Sequence, residues 1–89
     1  HARLARLHLA QGDEPAALDA IERARKEASF DSFYRAHVET VAGEILEARA
    51  KRLADPAAQK AARREALDAY ERSIDINKRV QARLLKEAP

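Results

Sequence analysis

The chain is predicted to be all-α, built of antiparallel helical hairpins, and three observations lead there. Residues 17–24 read Ala-Leu-Asp-Ala-Ile-Glu-Arg-Ala and residues 66–73 read Ala-Leu-Asp-Ala-Tyr-Glu-Arg-Ser, so one phrase occurs twice with six of eight positions identical. A phrase that recurs inside a short chain marks stacked supersecondary units. Apolar residues return at three- and four-residue spacing almost throughout, and the alternation of a strand occurs nowhere. The helix breakers are few and stand between the periodic runs, at Gly12-Asp13, around Ala28 to Asp31, and at Asp55-Pro56.

Four helices follow from that pattern. The first covers about residues 2–11, carries Leu4, Leu7 and Leu9, and stops at Gln11-Gly12-Asp13, where Gly supplies the left-handed C-terminal conformation. Asp13 is placed to cap a second helix over about 14–28, with Glu14 and Pro15 in its first turn and Ala17, Leu18, Ile21 and Ala24 on one face. A break near Ala28-Ser29, or a cap at Asp31, opens a third helix over about 30–54. Its expected buried stripe is Phe30, Phe33, Tyr34, His37, Val38, Val41, Ile45, Leu46 and Leu53. Asp55-Pro56 forces the next turn, and a fourth helix runs over about 56–87 with no strong breaker before Pro89. Ala58, Ala62, Ala66, Tyr70, Ser73, Ile74, Val80 and Leu84 mark its expected buried side, and Asn77 is the place where it would kink or restart.

Composition limits what such a chain does. The 89 residues make one small unit, 1–89, and the absence of Met together with an opening directly on helical residues reads as a segment excised from a longer protein. Seventeen basic against fifteen acidic residues leave a net charge of +2, which argues against a dedicated nucleic-acid or membrane-surface binder. No apolar run approaches the ~20 residues that span a bilayer. Without Cys there is no disulfide, thiol catalysis or thiolate metal site. The hydrophobic share is mostly Ala and Leu, which suits close helix packing but buries little area per side chain.

The chain resembles a tetratricopeptide repeat, whose pattern is W-x2-L-G-x2-Y followed by A-x3-F on a period of about 34 residues. Leu4-Ala5 stands in the L-G slot, His8 at the Tyr position, His1 at the Trp position, and Ala17 with Ile21 in A-x3-F. In the second unit Gly43 takes the first-helix Gly, and Ala66 with Tyr70 fills A-x3-F. The interval from Gly43 to Ala66 is 23 residues against 12 from Ala5 to Ala17, so the second hairpin is lengthened, with Asp55-Pro56 near the middle of the insertion. The resemblance implies a segment of right-handed superhelix in which Ala5, Ala17, Ala24, Gly43 and Ala66 let backbones approach and Leu7, Ile21, Leu46 and Tyr70 fill the space between layers. It also implies a groove, lined by the first helix of each unit, that binds a peptide or protein. Arg3, Arg6, His37, Thr40, Glu44 and Glu47 are the expected groove residues. The Ala- and Arg-rich style is similar to bacterial helical-repeat regions of maltose-activator-type transcriptional regulators and to tetratricopeptide proteins of translocation or envelope assembly. A cytoplasmic setting is favoured and a periplasmic one stays open.

Sharper chemistry finds little support in the residues. A carboxylate clamp needs paired Lys/Arg and Asn, and the chain's one Asn, Asn77, is on the wrong helix. Arg49, Lys51, Arg52, Lys60, Arg63 and Arg64 form a basic cluster without interleaved aromatics, as a solvated hairpin tip does. His1 and His8 have no third ligand at metal spacing, and His37 stands alone. Ser29, Ser32, Ser73 and Thr40 have no Gly-rich elbow or strand-turn-helix setting, so no enzyme, cofactor or metal is expected. The expected function is a protein-binding scaffold or adaptor. Two alternatives stay open. One is self-association through the long third and fourth helices, with residues 66, 70, 73, 77, 80 and 84 as a seam. The other is a sensor region of a transcriptional regulator with a small-molecule site near His37 and Tyr34.

Overall fold

In the computed structural model, which describes residues 2–28 and 30–87, the chain forms four helices and, among the described residues, no strand. They are α1 (Ala2–Ala10), α2 (Glu14–Glu27), α3 (Phe33–Arg52) and α4 (Pro56–Glu87). The expectations placed on His1, Ser29, Ala88 and Pro89 lie outside the described residues.

Each turn is closed by the local chemistry of a few side chains. After α1, Gly12 takes φ +79°, the Gly12 amide donates to the Leu9 carbonyl at 3.0 Å and the Asp13 amide to the His8 carbonyl at 2.8 Å. That pair of bonds satisfies the last carbonyls of the helix and needs the left-handed residue that Gly provides. Asp13 then caps α2, its carboxylate accepting from the Ala16 amide at 3.2 Å. The cap of α3 is Ser32, whose hydroxyl accepts from the Arg35 amide at 3.0 Å, so the helix starts at Phe33 and not near residue 30. Asp31, the expected cap, instead receives the Arg79 guanidinium of α4 at 2.6 Å and Arg35 at 3.0 Å. Asp55 caps α4 through the Ala58 amide at 3.1 Å, with Pro56 in the first helical position.

α2 packs on α1, and α3 lies against both; α4 packs along α3 alone. Thirty-two residues at about 1.5 Å each make α4 about 48 Å long, which accounts for most of the 53 Å long axis of the molecule. α4 is one unbroken helix through Asn77. It outruns α3: its last buried residue is Val80, and residues 81–87 are exposed.

The interior is made mainly of alanine. Ala2 and Ala5 of α1, Ala17, Ala20, Ile21 and Ala24 of α2, Val38, Val41, Ala42, Ile45 and Leu46 of α3, and Ala66 and Ala69 of α4 form one cluster; Ala36, Ile76 and Val80 form a second near the far end of α4. Small side chains at the contacts let the helices pack closely, and at Gly43 there is no room for a side chain at all. A Cβ there would stand 2.5 Å from Cε1 of Tyr70, so the tyrosine ring packs against the glycine where a side chain would collide.

The buried faces differ from the sequence stripes in an instructive way. Because α3 is covered on two sides, its buried residues run round the helix and take in Ala36, Glu39 and Ala42, while Phe30, Phe33, Tyr34 and His37 are exposed. On α4, Ala62, Ala66, Ala69, Ser73, Ile76 and Val80 face α3, and Ile74 and Leu84 stay outside, with Tyr70 half-buried. Leu7, expected between layers, is exposed along with Leu4; α1 buries Ala2 and Ala5 instead.

Candidate functional site

The surface has two distinct populations of side chains: ionic groups that tie the helices together and large apolar groups that touch little. The ionic ties come first, because they claim residues that would otherwise read as binding groups. Glu39 is a buried carboxylate at the junction of three helices. It accepts from Arg25 of α2 through Nε at 2.9 Å and Nη2 at 3.0 Å, and from Arg72 of α4 through Nε at 2.9 Å. Burial by itself would raise its pKa, but the hydrogen bonds from Arg25 and Arg72 outweigh that and hold it below the usual carboxylate value. Arg25 is shared with Glu22 at 2.7 Å. Glu14 at the start of α2 takes both nitrogens of an Arg52 fork near the end of α3, at 3.1 and 3.0 Å. Asp31, held below its ordinary range chiefly by the Arg79 hydrogen bond, does the same between the start of α3 and α4.

Of the six expected groove residues, four are drawn into such ties. Arg6 of α1 binds Glu44 of α3 in a two-point ion pair at 3.1 and 2.8 Å. Thr40 is half-buried between α3 and α4, where its hydroxyl meets the Ala36 carbonyl at 3.2 Å and Ser73 Oγ at 2.7 Å. Ser73 also donates to the Ala36 carbonyl at 2.8 Å, which explains a hydroxyl at the place where the first copy of the phrase has Ala24. Glu47 accepts from the Tyr70 phenol at 2.8 Å; burial and this carboxylate push the phenol up to about 12. Arg3 and His37 stand exposed on α1 and α3. The structure therefore brings Thr40, Glu44 and Glu47 to one side of α3, but as structural partners of α1 and α4.

The apolar population is what the sequence stripes concealed. One of the chain's nine leucines, Leu46, is buried. Leu4, Leu7, Leu67, Leu84 and Leu85 are exposed, with Phe30, Phe33, Tyr34 and Ile74. Phe30 and Phe33 flank the start of α3, and Leu84 and Leu85 lie near the end of α4. The bonds from Arg79 to the Asp31 carboxylate and from Arg83 to the Asp31 carbonyl hold those two ends side by side. Asp31 sits between Phe30 and Phe33 in sequence, and Arg83 directly precedes Leu84, so exposed apolar groups stand on both elements at the end of the hairpin where these ionic contacts are made.

The chain matches no protein-family model, no curated protein and no solved structure. Its clefts are open and shallow. One of about 340 Å³ runs between α2 and α4 over α3, with an apolar floor of Leu18, Ile21, Ala42 and Leu46 and walls that include Arg25, Arg49 and Arg72. Another, of about 400 Å³, lies beside Tyr70, Leu67 and Ala66. Neither includes His37 or Tyr34, where a small-molecule site was expected. Among the described residues, no three His, Asp or Glu side chains gather as a metal would require, and no helix is long and apolar enough to cross a membrane.

Proposed function

We propose that this chain is a protein-binding module of the tetratricopeptide type, a scaffold or adaptor segment whose two hairpins form part of a right-handed superhelix. The observation that carries the binding role is the inverted distribution of side-chain size: alanine makes most of the interior while eight of nine leucines, two phenylalanines and two tyrosines lie wholly or partly outside it. Fully burying a leucine is worth about 1.5–3 kcal/mol, so each half-exposed one retains about 1 kcal/mol for a partner to realise. Large apolar groups rimmed by charge are the composition of a contact surface. The repeat-like arrangement is supported by the duplicated phrase, by the matching burial of Ala17 with Ala66 and of Ala5 with Gly43, and by the packing of α3 on both helices of the first hairpin.

The proposed partner is a peptide or protein segment lying along the exposed side of α3, over His37, Glu44 and Glu47, and reaching the apolar end made by Phe33 and Leu84. Its own apolar side would meet the exposed aromatic and leucine groups, since Glu44 and Glu47 are already engaged by Arg6 and Tyr70. A random peptide display selected on the immobilised protein tests this. Enriched peptides are expected to lose at least tenfold in affinity on Phe33→Asp and on Leu84→Asp, both at exposed positions. Absence of enrichment, or peptides indifferent to both changes, would overturn the proposal.

A further inference from the structure

Superposing the two copies of the repeated phrase places Leu67 at the position of Leu18 and Tyr70 at that of Ile21. Ile21 is 1% exposed and Leu18 packs on the core, because α2 has both α1 and α3 against it. α4 has α3 alone, and Leu67 is 47% exposed. The edge of α4 is thus the counterpart of an edge that, on α2, a following helix covers.

The complementary edge is on α1. With Ala5 set against Gly43, Leu4 and Leu7 fall on Ala42 and Ile45. Ile45 points about 200° round α3 from Gly43, and Gly43 carries the Tyr70 ring of α4, so Ile45 faces the first hairpin. Ala42 and Ile45 are 1% and 0% exposed there; Leu4 and Leu7, their counterparts, are 42% and 52% exposed. Charge follows the same correspondence. Arg6 and Glu44 are themselves counterparts, and they pair across α1 and α3. Repeating that step once more sets Glu44 of one molecule against Arg6 of the next.

We propose that the chain associates head to tail with second copies of itself, the Leu4–Leu7 edge of one molecule packing on the Leu67–Tyr70 edge of its neighbour as α3 packs on the first hairpin. The two surfaces differ, so the contact is heterologous and the assembly does not close at two. This goes beyond the binding of another protein along α3 and stands without it, since neither edge includes Phe33, His37 or Leu84.

Sedimentation of the intact chain and of two variants decides the matter. The wild type is expected to show a mass that rises with concentration past twice its 9.9 kDa. Leu7→Asp and Leu67→Asp, each changing an exposed residue, are each expected to remain monomeric with unchanged helicity. Mixed in equal amounts they are expected to form a 1:1 heterodimer and nothing larger, because each variant keeps the edge that the other has lost. Should either variant lose helicity, Leu4→Asp or Ile74→Asp takes its place. A wild type that stays monomeric across a hundredfold concentration range would overturn the proposal and leave the edges to a foreign helix. So would a mass that saturates at two, or a mixture that stays monomeric, since those describe a symmetric dimer or unrelated contacts.

Discussion

Replacing Glu39 by glutamine should weaken the fold more than any change of an exposed charge, and the size of the loss can be worked from its surroundings. The substitution keeps the shape and removes the charge that Arg25 and Arg72 share. One amide oxygen can still accept from one guanidinium, but the amide nitrogen then presents its hydrogens to the other. Removing one partner of a buried ion pair costs about 3–5 kcal/mol. Here Arg25 keeps Glu22 and Arg72 is half in solvent, so both cations partly rehydrate and the expected cost falls to about 2–3 kcal/mol. With a urea slope near 1 kcal/mol/M the midpoint should fall by about 2–3 M, and Tm by roughly 10–20 °C. The pH dependence has a definite sign. Glu39 is held below its unfolded value, which is 4.5, so its contribution is full above that pH. It is lost as the pH falls through the folded pKa. The gap between wild type and Glu39→Gln should therefore be widest near neutrality and close in acid. A variant within about 0.5 kcal/mol of wild type at pH 7, or a gap that stays constant into acid, would refute the role given to this junction.

Three further outcomes are expected. Gly43→Ala places a methyl 2.5 Å from the Tyr70 ring and should cost about 1–3 kcal/mol by denaturant unfolding; adding Tyr70→Ala should make the glycine change nearly neutral, and equal costs in both backgrounds would contradict the contact. Gly12→Ala meets no steric obstacle, so its cost should be the left-handed backbone alone, about 1 kcal/mol, and no measurable change in the urea midpoint would contradict that reading. In a Tyr34→Phe background, ultraviolet titration should show the one remaining phenol ionising near 12 in the folded chain and near 10 in urea. Because the folded pKa is the higher, stability should fall as the pH rises between those values. Coincident titrations would remove the Glu47 hydrogen bond from the picture.

How much of this was legible in the sequence depends on the range of the forces involved. The breakers act locally, so Gly12-Asp13 and Asp55-Pro56 mark where helices end, and the alanines of the repeated phrase mark the close contacts at Ala17, Ala24 and Ala66. Even local chemistry misleads when a competitor is adjacent: Asp31 and Ser32 both make good caps, and Arg79, 48 residues away, takes the aspartate. The apolar stripes held on α2 and in part on α3 and α4, and missed elsewhere because periodicity reports amphipathicity without saying which side is covered. On α1 Leu4 and Leu7 lie outside while Ala2 and Ala5 lie inside; on α3 two partners bury residues all round, so no single stripe exists. Glu39 had no sequence signal, since a lone glutamate in a helix reads as surface and its two arginines come from other helices. The groove residues were chosen as exposed first-helix positions, and Arg6, Thr40, Glu44 and Glu47 are instead paired within the chain, which shifts the weight of the proposed binding toward Phe33, His37 and the leucines.

The central claim is that large apolar side chains lie on the outside of an alanine-cored helical stack. It is tested most directly by methyl NMR with a soluble paramagnetic agent, at a concentration where the chain sediments as a monomer. The methyls of Leu4, Leu7, Leu67, Leu84 and Leu85 should be strongly broadened, while those of Ile21, Ile45 and Leu46 keep their intensity. Protection of the five leucines equal to that of Ile21 would mean that they form the core, and both the packing and the contact surface built on it would be wrong.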